Sequence, residues 1–235
     1  MRIIISPAKA MKVDNDVFQP KRLPVFIEKT EEILSYLKGL DYEELKDLWK
    51  TSHKLTQLNF QRVKRMDLYK NLTPAILSFD GLQYKYMGPT VFSYDELDYI
   101  DEHLRILSGF YGILTPFDGV VAYRLEMQAK PKNWEYENMY EFWGDKIAKE
   151  LFSQSNCIIN LASMEYSRVV KKYLKDNVRF INCIFGELIE GRIIQKGTLA
   201  KMARGELVQF MAREKIKDPE DIKGYKGLGY VFKSS

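Results

Sequence analysis

The sequence predicts an α/β protein, a single compact domain over residues 1–235 in which a mixed β-sheet is flanked by helices. Three observations lead there. Short apolar runs such as RIII (2–5) and CIINLA (157–162) read as buried strands. Between them lie longer stretches whose apolar residues step by three and four. The two patterns alternate along the chain, with no internal repeat and no low-complexity segment. The composition, 46% hydrophobic and 29% charged over 235 residues, is that of an ordinary globular protein with a sizeable core.

The elements follow in order. The strand at 2–5 ends in Ser6-Pro7, and Pro20 and Pro24 mark residues 10–24 as a surface loop. From there to about residue 66 the pattern is helical, with Asp41 and Glu44 placed as a capping box. Residues 75–79 (AILSF) read as a strand. Ser93 and Glu96 form an S-x-x-E box. Behind it Leu97, Ile100, Leu104 and Leu107 predict one helix over about 94–108. Ser108, Gly109, Tyr111 and Gly112 then predict an exposed turn, followed by a short helix near 113–118. The whole, about 94–118, is a helix-hairpin-helix-like element. Residues 121–128 alternate, with Arg124 and Glu126 on the polar side of a strand. Asn138 opens a helix through Leu151. Ser163 caps another after the 157–162 strand. The segment 178–185 is a strand paired through a Glu190-Gly191 turn with 192–194. A long helix spans about 198–216, and 224–232 closes the chain in glycine turns and a final strand.

Charge and special residues narrow the function. Lys and Arg number 36 against 32 Asp and Glu, a net +4 that is only mildly basic. Cys157 and Cys183 sit in apolar runs, as buried thiols of a reducing compartment do. No apolar run approaches the ~18 residues of a membrane span, and no signal peptide is visible, so the expectation is a cytoplasmic protein. His53 and His103 have no second ligand at metal spacing, and the nucleotide-binding glycine motifs are missing, so no metal and no cofactor is expected.

Four features carry chemistry. ISPAK places Ser6 and Lys9 directly after a strand, where α/β sheets hold ligands or merely turn. Arg124 and Glu126 are either site residues or a partly exposed ion pair. INLASMEY brings Asn160, Ser163 and Glu165 to a strand-helix junction, as a site or as a simple N-cap. KMARG puts Lys201 and Arg204 on one helix face, with Arg213 beyond, as a phosphate contact or a solvated stripe. With Arg168, Lys171 and Lys172 these cations sit at element ends and outline a basic cleft. The hairpin's backbone N–H groups suit phosphate oxygens, or its glycines serve packing alone.

Six motifs in this order, namely ISPAK, LRILSGFYGILTPFD, YRLEM, FWGD, INLASMEY and KMARG, closely resemble the YaaA family of bacterial peroxide-stress resistance proteins. The resemblance covers essentially the whole chain, GYVF near the end included. It implies a helix-hairpin-helix element, a positively charged cleft, DNA binding, and a role in limiting damage by intracellular iron and peroxide. Carried over, the hairpin is Ser108 to Gly112, and Lys9, Arg124, Lys201 and Arg204 fall on the basic motif positions. Two function classes stand. One is a DNA-binding protein gripping the phosphate backbone largely without sequence specificity, with a monomer favoured. The other is an enzyme with a pocket of Ser6, Lys9, Arg124, Glu126, Asn160, Ser163, Glu165 and Arg204. The sequence has no ferritin-like Glu-x-x-His pair and no redox cysteine pair, which speaks against iron storage and thiol peroxidase chemistry.

Overall fold

The computed structural model describes residues 1–14, 16–190 and 192–233. Its centre is the run RIII. Ile3, Ile4 and Ile5 are fully buried, which needs strands on both sides and helices on both faces. That strand, β1 (Arg2–Ile5), is followed by α1 (Ile27–Gly39), α2 (Tyr42–Trp49) and α3 (His53–Arg65). Then come α4 (Ala75–Ser78), α5 (Leu82–Met87) and α6 (Tyr94–His103). The strands β2 (Leu104–Ser108) and β3 (Gly112–Leu114) form a hairpin. Next are α7 (Met139–Trp143), α8 (Lys146–Gln154), β4 (Cys157–Leu161), α9 (Met164–Lys171) and β5 (Arg179–Asn182). A separate hairpin of β6 (Glu187–Ile189) and β7 (Arg192–Ile194) precedes the long α10 (Gly197–Arg213).

Among the described residues the central sheet has the order β3-β2-β1-β4-β5. β2, β1, β4 and β5 are parallel and β3 is antiparallel, so the sheet is mixed. From β1 the chain first moves to β2 on one side, then returns to β4 on the other. Right-handed crossovers in opposite directions put their helices on opposite faces. α6 packs on β1 and β2 and carries α10, which rides on α5; α8 and α9 pack together in the other layer. The point where the direction reverses lies between β1 and β4, and there the carboxyl ends of two neighbouring strands diverge to leave a crevice.

Several expectations hold. Both capping boxes form, Asp41 with Glu44 and Ser93 with Glu96. Others are corrected. The helix from Ser93 stops at His103, and Leu104 to Ser108 is a strand buried along its whole length. An apolar run of five residues buried on both faces has no period of its own, and the leucine spacing continued the helix pattern by coincidence. No second helix follows at 113–118, where β3 stands instead, so the element is a β-hairpin and not a helix-hairpin-helix. Residues 75–79 are mostly helix, with Phe79 and Asp80 pairing antiparallel to Ala10 and Met11. Residues 121–126 have no ladder partners and 127–128 form a turn, although Tyr123, Leu125 and Met127 are buried and Arg124 and Glu126 are not fully so. The helix opened by Asn138 breaks at Gly144, whose φ is +50°. The strand at 178–185 is shorter, Arg179–Asn182, and 192–194 pairs with 187–189; Gly191 of the expected turn lies outside the described residues. The segment 224–232 holds a 3₁₀ turn at Gly227–Gly229 and no strand.

Candidate functional site at the carboxyl edge of the sheet

Ser6 follows β1 and Ser163 follows β4, so the two serines face each other across the reversal point. Ser6 Oγ accepts from the Ser163 backbone N–H at 2.8 Å and donates to Ser163 Oγ at 3.2 Å. Ser163 stands at the N-cap of α9 in extended conformation, yet its hydroxyl makes no capping bond. It is turned toward Ser6 instead. Tyr84 Oη donates to the Ser6 carbonyl at 3.0 Å, tying α5 to the same loop.

A charged group joins the loop after Ser6 to the 121–128 segment. Glu126 Oε1 lies 2.7 Å from Arg124 Nη2 and 3.1 Å from Lys9 Nζ. Neither contact is aligned as a hydrogen bond. The Lys9 side chain is 67% exposed, whereas those of Arg124 and Glu126 are 13% and 16% exposed. Glu165, in the first turn of α9, accepts from the Gln128 N–H at 3.4 Å. Burial raises its carboxyl pKa; the Gln128 N–H opposes this, Glu126 adds to it and Lys9 offsets it. Tyr166 is held un-ionised by burial and by the neighbouring Tyr123, Glu165 and Glu126.

The hairpin supports this group from below. Ser108 Oγ accepts the N–H groups of Phe110 and Tyr111, at 3.1 and 2.9 Å, and is 2.7 Å from Tyr123 Oη. Trp143 Nε1 donates to Gly109 O. Gly109 lies under the 125–126 backbone, where a Cβ would come within 2.7 Å of Leu125 O. Tyr111 Oη accepts from the Val121 N–H. Ser108, Gly109, Tyr111 and Gly112 are therefore buried and bonded inward, and the expected outward-facing backbone N–H groups are not there. Their glycines serve close packing, which fixes the segment that carries Arg124 and Glu126.

Asn160 is spent on the strand ends. Its side chain accepts from the Ala162 N–H and donates to Asn182 Oδ1. Arg204 reaches the edge from the α10 side, where its charge acts on Cys183 just past β5. Burial pushes the Cys183 thiol up to about 11, with Arg204 opposing. Lys201 is exposed one turn earlier on the same helix. Arg168 and Lys171 belong to α9 in the other layer and Lys172 follows it, over the rings of Tyr140, Phe180 and Tyr173 respectively. Arg213 pairs with Glu214. The basic residues thus fall in three sets: Lys9 and Arg124 with Glu126, Lys201 and Arg204 on α10, and Arg168, Lys171 and Lys172 in and just after α9.

Tyr84, Gln83 and Gly205 belong to this region and were not among the expected site residues. Gly205 was signalled by KMARG itself, because glycine inside a helix is costly unless a backbone must come close. A Cβ there would stand 2.0 Å from Gln83 O. Tyr84 and Gln83 had no sequence signal beyond a tyrosine-rich loop.

A doubly wound sheet with a polar cluster at its reversal point defines an α/β protein of the architecture whose carboxyl edge is the general place for a ligand. Residues 1–235 match the family model described as Peroxide stress protein YaaA. The chain is 52% identical over 233 residues to a UPF0246 protein of Desulfitobacterium hafniense, covering 99% of this chain and 93% of that one. It is 48% identical to one from Pediococcus pentosaceus, covering 100% of this chain and 93% of the relative. A third, from Agathobacter rectalis, is 49% identical over 100% and 94% of the two chains. The chain belongs to the YaaA family of peroxide stress proteins. No helix among the described residues is long and apolar enough to cross a membrane.

Proposed function

We propose that the protein serves in peroxide stress by binding DNA through phosphate oxygens at the carboxyl edge, largely without reading sequence. One observation carries this reading. Among the described residues four buried side-chain donors lack a hydrogen-bond acceptor, and three of them, Gln83 Nε2, Arg124 Nε and Arg204 Nε, lie at or beside the edge. A buried donor without an acceptor costs about 1–3 kcal/mol, so such donors mark a place where an acceptor-rich partner is gained. Lys201 and Arg204 support it, since neither is paired with a carboxylate among the described residues. Phosphate contacts position a duplex but carry no base information. Binding titrations of several unrelated duplexes at a series of salt concentrations test this. Equal affinities with a slope of about 0.9 per neutralised phosphate are expected. Strong preference for one sequence, or no salt dependence, would overturn it.

A second reading, catalysis in the same crevice, is favoured by Glu165. A carboxyl kept protonated above its usual range beside paired serines is suited to acid-base work. Turnover of a nucleotide or DNA substrate that is lost in Glu165→Gln while binding persists would favour this reading over simple binding.

A further inference from the structure

Lys9, three residues past Ser6, and Arg124 are both occupied by one carboxylate oxygen, that of Glu126. A carboxylate gripped by a guanidinium normally forms aligned bonds, two of them when the fork is matched. Here Glu126 Oε1 is within 3.1 Å of two cations and aligned with neither, while the Arg124 Nε donor has no acceptor at all. The ion pair is therefore held by charge rather than by fitted hydrogen bonds. Its backbone is fixed from below by the contact of Gly109 with residues 125–126, so Glu126 cannot improve the fit by moving its main chain. The Glu165 carboxyl feels both Glu126 and Lys9, whereas two neighbouring features favour an anion. Ser163 Oγ accepts from Ser6 and has its own proton left to donate. The first turn of α9 is uncapped beside it, and helix N-termini attract negative charge.

We infer that the Glu126 carboxylate stands in the place of an oxyanion ligand, and that a phosphate group exchanges with it at Lys9, Arg124 and Ser163. The inference rests on reading the carboxyl edge as a phosphate-binding surface, and it deepens that reading by naming the exchanging group. Glu126 is then an internal competitor. It engages two cations and cancels one of their charges until a phosphate with three or four oxygens offers both of them better-aligned acceptors. The phosphate can belong to a DNA backbone or to a free phosphate or nucleotide.

The test uses the full chain and four proteins: the parent, Glu126→Gln, Lys9→Ala and the double variant. Each is titrated with inorganic phosphate and with a short duplex, and its melting temperature is recorded. Glu126→Gln should bind more tightly, by about tenfold. Its duplex salt slope should steepen by up to about 0.9, for the one net positive charge released. Lys9→Ala should weaken binding several-fold more in the Glu126→Gln background than in the parent. A gain for phosphate and duplex together assigns the site to backbone phosphate; a gain for phosphate alone assigns it to a free ligand. Equal or weaker binding by a folded Glu126→Gln overturns the inference, as does an equal effect of Lys9→Ala in both backgrounds. If Glu126→Gln does not fold, the single cation variants decide. Lys201→Ala should then flatten the duplex slope clearly more than Lys9→Ala, and equal flattening overturns the inference. A parent that binds no duplex, with a Glu126→Gln that gains phosphate, sinks the DNA reading while leaving the exchange intact.

Discussion

Gly112 shows how one residue changes the meaning of the hairpin. Its φ is +75°, a conformation that L side chains rarely adopt, and a Cβ would stand 2.8 Å from Trp143 and 3.0 Å from Phe26. Gly112→Asp therefore acts on the fold. We expect a loss of roughly 2–4 kcal/mol from backbone strain, overpacking and a buried charge together. Chemical denaturation would measure it. A variant as stable as the parent but deficient in DNA binding would restore the hairpin as a phosphate contact. Asp118 belongs to the same scale. It is 2% exposed, and burial pushes its carboxyl up to about 6, opposed by donation from Thr115 and by the charges of Arg22 and Arg105. The folded state then holds this proton more tightly than the unfolded chain does. Its contribution to stability is full below the unfolded pKa and is lost as pH rises through about 6. Between roughly pH 4 and 6 the loss is on the order of 3 kcal/mol. Asp118→Asn should flatten that part of the stability profile relative to the parent. Parallel profiles from pH 4 to 7 would contradict this.

At the scale of the element, the β2–β3 hairpin depends on a single hydroxyl. Ser108→Ala leaves the N–H groups of Phe110 and Tyr111 and the hydroxyl of Tyr123 without their shared partner. A cost of about 2–4 kcal/mol is expected from groups orphaned in a buried turn. Amide exchange would show it as lost protection at residues 110 and 111. Unchanged exchange there would mean that the hydroxyl is not what holds the turn. Elements also show where the sequence was legible. Strands β1 and β4 were readable because their runs are short, apolar and bounded by turn residues. The capping boxes were readable because a cap is a local chemical event. The boundary at His103 was not, because a helix with apolar residues every three or four positions ran straight into a strand buried on both faces. Arg105 was the clue within that run. It is satisfied inside the fold by Gln154 Oε1 and by the carbonyls of Asp101 and Leu104, a role that no periodicity reports. At 121–128 the alternation read the burial correctly, but a ladder needs a neighbouring strand, and that depends on residues far away.

On the whole molecule, topology decides which of the legible side chains meet. Ser6 and Ser163 meet because β1 and β4 are neighbours at the reversal point, while Lys9, Arg124 and Glu126 meet on the segment packed over Gly109, within electrostatic reach of Glu165. Their spacing in sequence says nothing of this. The same topology divides the cations, leaving Lys201 and Arg204 with α10 and Arg168, Lys171 and Lys172 with α9 in the other layer. The most direct measurement of DNA binding at the carboxyl edge compares these two groups. Duplex affinity is followed against salt for the parent, for Lys201→Ala with Arg204→Ala, and for Arg168→Ala with Lys171→Ala and Lys172→Ala. The expected result is that the α10 pair weakens binding to all sequences alike and flattens the slope by roughly one unit per lost contact, with the α9 triple changing it less. A folded α10 pair variant that keeps the parent's affinity and slope, while the α9 triple loses both, would contradict the carboxyl edge as the DNA-binding surface.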